Sequence, residues 1–190
     1  MLRISLLFML LVTFSNSTPS ESAVVQDLSL AQMTERAHWI VRGTINGKHA
    51  RWLETDRPGI FTQLELRLLE VLKGPAKPGE VMTFEQFGGT VDGITHMIPG
   101  SPQFDVGEEV LLFLNRHRSG RLYIVGFSQG KFKVSRTPHS AQVSRDLVAT
   151  HRVGTVAHPA QQFSEGVDEL NALRRAIRSL LTAKEYGADQ

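Results

Sequence analysis

Gly107-Glu108-Glu109-Val110-Leu111-Leu112-Phe113-Leu114, a polar turn over residues 115–121, Leu122-Tyr123-Ile124-Val125-Gly126-Phe127, and Ser128-Gln129-Gly130-Lys131-Phe132-Lys133-Val134 together decide the fold class. Residues 110–114 form a nearly continuous apolar run bounded by turn residues, the pattern of a strand buried on both faces. Residues 122–127 repeat that pattern after Arg116-His117-Arg118-Ser119-Gly120-Arg121. Three short strands in succession predict a β-meander at the heart of a small barrel or sandwich.

Working outward toward the N-terminus, Glu80 to Phe87 reads as a strand, and Lys73-Gly74-Pro75-Ala76-Lys77-Pro78-Gly79 before it is turn chemistry. Residues 61–72 form the clearest long strand, with Leu64, Leu66 and Leu68 alternating against Glu65 and Arg67. The phase then slips by one residue at Leu69, which calls for a β-bulge. Trp39-Ile40-Val41-Arg42-Gly43-Thr44-Ile45 predicts the first strand, with Gly43 as a bulge or close-approach point. Ser29 and Gln32 have capping-box spacing, and Leu30, Met33 and Ala37 share one face of a short helix beyond them. Toward the C-terminus, residues 135–163 read as an extended arm or linker. Residues 164–182 form an amphipathic helix on Val167, Leu170, Leu173, Ile177 and Leu180 or Leu181, before a disordered tail at 183–190. Its acids Glu165, Asp168 and Glu169 come early and Arg174, Arg175 and Arg178 later, as the helix dipole favours.

A chain of 190 residues suits one domain and a targeting segment. Met1-Leu2-Arg3 followed by an apolar run over residues 4–14 predicts a signal peptide of residues 1–17, with residues 18–27 a disordered N-terminus and the barrel domain at 28–134. The expected address is periplasmic or secreted, with no transmembrane segment after cleavage. The chain has no cysteine, which excludes disulfides, thiol catalysis and cysteine zinc sites. Over residues 110–163, eight Lys or Arg stand against the single acid Asp146, so this half is basic. Arg116, Arg118, Arg121, Lys131 and Lys133 are its candidate polyanion-binding residues, for lipopolysaccharide or acidic glycan outside the cytoplasm rather than nucleic acid.

The irregular stretch over residues 88–105 is the first candidate contact surface, because a long loop in a compact domain is more often functional than a short one. Its candidate partner-binding residues are Gly88, Gly89, Asp92, His96, Pro99 and Phe104, with a small hairpin expected at Asp92-Gly93. Gly126-Phe127-Ser128-Gln129-Gly130 matches the G-x-S-x-G nucleophile elbow, with Asp146 and then His151 or His158 in the required order. That elbow needs a strand, a turn and a helix, whereas Lys131-Phe132-Lys133-Val134 alternates like a strand. The glycines are then explained by a turn between strands, and a hydrolase using Ser128 is the third-placed reading. The seven histidines form no H-E-x-x-H motif, and Glu108-Glu109 point to opposite faces of a strand, so no catalytic, metal or cofactor-binding residue is assigned.

The run Arg36-Ala37-His38-Trp39-Ile40-Val41-Arg42-Gly43-Thr44-Ile45, then Leu69-Glu70-Val71-Leu72-Lys73-Gly74, Gly79, Gly88-Gly89, Gly100-Ser101-Pro102-Gln103-Phe104, Gly107 to Leu114 and Gln129-Gly130-Lys131-Phe132 resembles a family of uncharacterised exported bacterial proteins. An acidic residue usually stands in that family where His38 is. More remotely, the order of a short helix, an Ile-Val-x-Gly strand, a long strand ending in Leu-Lys-Gly and a Gly-Glu-x-Val-Leu-Leu strand is similar to the OB-like barrel of the netrin module and the tissue inhibitors of metalloproteinases. The resemblance implies a mainly β, OB-like Greek-key barrel with a short N-terminal helix and a C-terminal amphipathic helix. Those inhibitors act through an N-terminal cysteine, which is missing here, so their zinc-chelating mechanism does not carry over. The leading expectation is an exported, non-enzymatic binding module contacting a protein partner through barrel rim loops. The alternative is a binder of envelope polyanions or glycans through the basic face.

Overall fold

The computed structural model describes residues 24–53, 58–145, 151–153 and 169–188. The expected signal peptide, the start of the C-terminal helix at residue 164, Asp146 and His158 lie outside the described residues. The elements are β1 (Val24–Gln26), α1 (Leu30–Arg36), β2 (Trp39–Leu53), β3 (Gly59–Lys73), β4 (Val81–Phe87), β5 (Gly89–Val91) and β6 (Ile94–His96). They continue with β7 (Glu109–Arg116), β8 (Leu122–Ile124), a 3-10 turn (Phe127–Gly130), β9 (Lys131–Arg136), β10 (Ala141–Ser144), β11 (His151–Val153) and α2 (Glu169–Ala188). The chain is mainly β with a helix near each end.

The main sheet runs β10-β9-β7-β2-β3-β4, and β8 pairs with β7 beyond the end of β9. The run at residues 110–114 is buried on both faces because the sheet separates two cores. Val110, Leu112 and Leu114 point into one core, with Val41, Ile45, Leu64, Leu66, Leu68, Phe84 and Phe104. Leu111 and Phe113 point into the other, where Met33 of α1, Ala37 at its C-cap, and Leu170, Leu173 and Ile177 of α2 cover Ile40, Phe132, Val134 and Val143. Both helices therefore lie on the same face of the sheet.

Alternation survives along β2 and β3 because bulges absorb the phase slips. Gly43 pairs with Leu68 and Arg42 with Glu70, so Leu69 is the extra residue; further shifts follow Ile40 and Ile45. Leu68 can then point into one core while Glu70 faces α2. At Gly43 a Cβ would sit 2.4 Å from the Arg67 carbonyl oxygen, the close approach the sequence predicts. In α1, Ser29 Oγ accepts from the Gln32 amide while the Gln32 side chain accepts from the Ser29 amide, closing the capping box. Lys73 donates to the Thr34 carbonyl at 2.7 Å near the other end, where a cation suits exposed helix carbonyls. Burial, and then the nearby Lys184 charge, lower the Lys73 pKa against the opposing pull of Glu35.

Several boundaries differ from the sequence reading. The strand expected over residues 122–127 ends at Ile124, because Gly126 and Phe127 take positive φ values of 66° and 57° and swing the chain into the 3-10 turn. The sheet does not stop at Val134: β9 runs to Arg136, and β10 pairs with it inside the stretch expected as an arm. Residues 24–26, expected within a disordered N-terminus, pair in parallel with β11. α2 continues to Ala188 rather than ending at residue 182, since Ala183, Lys184 and Glu185 are good helix formers beyond the last apolar contact.

Among the described residues the hydrogen-bonded ladder runs from β10 to β4 without a closing strand pair. Side chains span the distance between β4 and β8: Phe87 stacks on Tyr123 with ring centroids 5.7 Å apart, and Arg121 Nε lies 3.5 Å from Glu85 Oε2.

Candidate functional site

Two neighbouring surfaces gather the chemistry, a hairpin with apolar side chains and a basic groove. The hairpin starts where β4 ends. Gly88 has φ 95°, donates to the Ile60 carbonyl at 2.8 Å and accepts from Thr62 Oγ1 at 2.7 Å, while a Cβ there would lie 2.7 Å from the His96 carbonyl oxygen. Only glycine fits this seat. β5 and β6 then pair as a two-stranded hairpin whose turn is Asp92-Gly93, both at positive φ, as the sequence predicts. Thr90 and Thr95 join their hydroxyls across it at 2.9 Å. Trp52 meets His96 edge-on with centroids 5.3 Å apart.

Around this hairpin the large apolar side chains point outward. Met97 is 80% exposed, Ile94 50%, Trp52 45% and Ile98 40%. Asp92, His96 and Pro99 are exposed as well. Phe104, the last residue of the expected contact set, is not: it is buried against Phe84 with centroids 5.4 Å apart. The chain dips inward after Pro99 through buried Gly100, Ser101 and Pro102, and Phe104 plugs the core. It is a structural residue.

The expected basic face also divides. Lys131 is buried: its ammonium contacts Glu108 at 2.8 Å, donates to the Gln103 carbonyl and lies 4.3 Å from the Phe104 ring centroid. It ties β9 to the plug and is withdrawn from any ligand. Arg121 and Arg51 both pair with Glu85, and Lys133 is half-buried on β9. Arg136 joins a row of ion pairs crossing the helix-covered face, in which Glu109 takes Arg136 and Arg42, while Glu70 takes Arg42, Arg174 and Arg178. Burial alone would raise the Glu109 carboxyl, but hydrogen bonds from Arg136 and Arg42 outweigh it and hold the pKa below its ordinary value. Arg174 and Arg178 thus fasten α2 to β3.

Arg116 and Arg118 remain accessible, and they share a groove of about 690 Å³ with Arg36, His38, His117 and Tyr123. Pairing of β2 with β7 brings them together: His38 donates its amide to the Leu114 carbonyl at 2.8 Å, and its ring accepts from the Arg116 amide at 3.4 Å. Leu28, Arg36, His38 and residues 85–87, 101–102, 115–118 and 123–127 contribute to the lining. Only Arg116-His117-Arg118 announces it in the sequence, because the other segments come together only in the fold.

Ser128 is buried in the 3-10 turn, its amide donates to the Gly100 carbonyl at 3.0 Å, and β9 follows it directly. The helix that a nucleophile elbow needs is replaced by a strand. Among the described residues no three His, Asp or Glu side chains converge as metal ligands, and no helix is long and apolar enough to cross a membrane. No protein-family model, curated protein or solved structure matches the chain.

Proposed function

We propose that the protein is an exported, non-enzymatic binding module with an OB-like sheet, and that the β5–β6 hairpin and residues 97–99 contact a protein partner. The observation that carries this reading is that four of the nine large apolar side chains exposed among the described residues, Trp52, Ile94, Met97 and Ile98, stand around one hairpin. Contiguous exposed apolar side chains rimmed by polar ones mark interaction surfaces, and isolated ones do not. Asp92, Thr90, Thr95 and His96 supply the polar rim. The hairpin is held to the sheet through Gly88, so the patch is presented with little ordering cost. The apolar leader over residues 4–14 supports export. Strand order supports the OB-like assignment, since β2 lies between β3 and β7, β3 pairs with β4, and β8 leans from β7 back toward β4.

The test is affinity capture from envelope and secreted fractions with the parent protein and with an Ile94→Asp, Met97→Asp variant. A protein held by the parent through a high-salt wash and lost by the variant supports the reading, because an apolar interface persists when charges are screened. Equal retention by both proteins contradicts it.

A further inference from the structure

We infer that the groove bounded by α1, the end of β4 and the β7–β8 turn binds an acidic sugar, a hydroxylated ring that carries a carboxylate. Its volume of about 690 Å³ lies in the range of small-ligand sites. Leu28, Ile124 and Val125 give it an apolar floor, and the stacked rings of Phe87 and Tyr123 stand beside them. Phe87 is 44% exposed, so the open side of this pair offers apolar surface to the C–H face of a sugar ring.

The charge around that floor is one-sided. Arg36, Arg116 and Arg118 line the groove, and among the described residues no carboxylate pairs with any of them. The one acid in the lining is Glu85, which is already engaged by Arg51 at 2.9 Å and Arg121 at 3.5 Å. A guanidinium is the donor best matched to a carboxylate. Gln86 also belongs to the lining, and its side-chain oxygen is buried without a hydrogen-bond donor. Phe127 lines the mouth 43% exposed with φ 57°, and such strain in a bulky residue gathers at ligand clamps. A bare anion would use only the arginines and a neutral sugar only the rings. An acidic sugar uses both.

The inference does not depend on the hairpin, whose Trp52, Ile94 and Met97 do not line the groove. Galacturonate, galactose and inorganic phosphate are the probes, each titrated onto the purified chain while the His117 and Tyr123 resonances are followed by NMR. Galacturonate should shift both and bind at least about tenfold more tightly than galactose or phosphate. Arg116→Gln and Arg118→Gln should each weaken it about tenfold, the loss of one charge-assisted hydrogen bond, while Met97→Asp should leave it unchanged. Arg118 is exposed in a turn, so its substitution leaves the core intact and remains informative if Arg116→Gln unfolds. Absence of any shift by about 20 mM galacturonate, a concentration that would reveal even millimolar binding, overturns the inference. So does equal affinity for galactose or phosphate, or an Arg118→Gln variant that binds like the parent.

Discussion

Lys131 illustrates what a single side chain decides here. Its ammonium is enclosed with Glu108 and caps the Phe104 plug, so removing it leaves a buried carboxylate without its partner. Lys131→Met should lower the unfolding free energy by about 3–5 kcal/mol, and adding Glu108→Leu should restore much of it. Urea denaturation of both variants checks this. In the sequence Lys131 reads as a polar residue on an alternating strand, since nothing local shows that Glu108 and Phe104 stand opposite. Glu109 sets a pH dependence. Its folded pKa is held below the ordinary 4.5, so its contribution is present in full above that value and is lost as pH falls through the depressed folded pKa. Glu109→Gln should therefore cost about 1–3 kcal/mol near neutral pH and progressively less in acid. Equal destabilisation at pH values above and below that window would contradict the assignment.

At the scale of elements, α2 is held by burial and by charge. Leu173 and Ile177 are fully buried beneath it, and Ile177→Ala should cost about 2–5 kcal/mol. Glu70→Gln should loosen the helix differently: Arg174 and Arg178 lose their anchor, so amide exchange along α2 should accelerate while the β2 and β7 amides stay protected. Uniform exchange across both regions would show that the ion pairs do not hold the helix locally. The elements legible beforehand were those with local causes: the Ser29–Gln32 capping box, the Asp92-Gly93 turn and the one-residue slip at Leu69. β10 was not, because Ala141 and Val143 are too few to make a run and gain their burial from α2 and β9. The turn at Phe127 was equally hidden, since a phenylalanine at positive φ gives no sequence signal.

For the whole molecule, the run at residues 110–114 foretold a sheet buried on both faces, and the two cores on either side of β7 answer to it. Function was less legible, because the groove is assembled by the fold from six separated segments and the basic residues were dispersed by partners the sequence keeps distant. Phe104 and Lys131 became structure, whereas Arg116 and Arg118 joined Arg36 beside aromatic walls. The hairpin kept its expected place and exposes its apolar residues. The most direct test of the binding-module account is hydrogen exchange on the protein alone and with the partner captured from its own envelope or medium. The account predicts new protection concentrated over residues 88–98, with α2 and β10 unchanged. Protection confined to α2 and β10, with the hairpin exchanging as it does in the free protein, would contradict it.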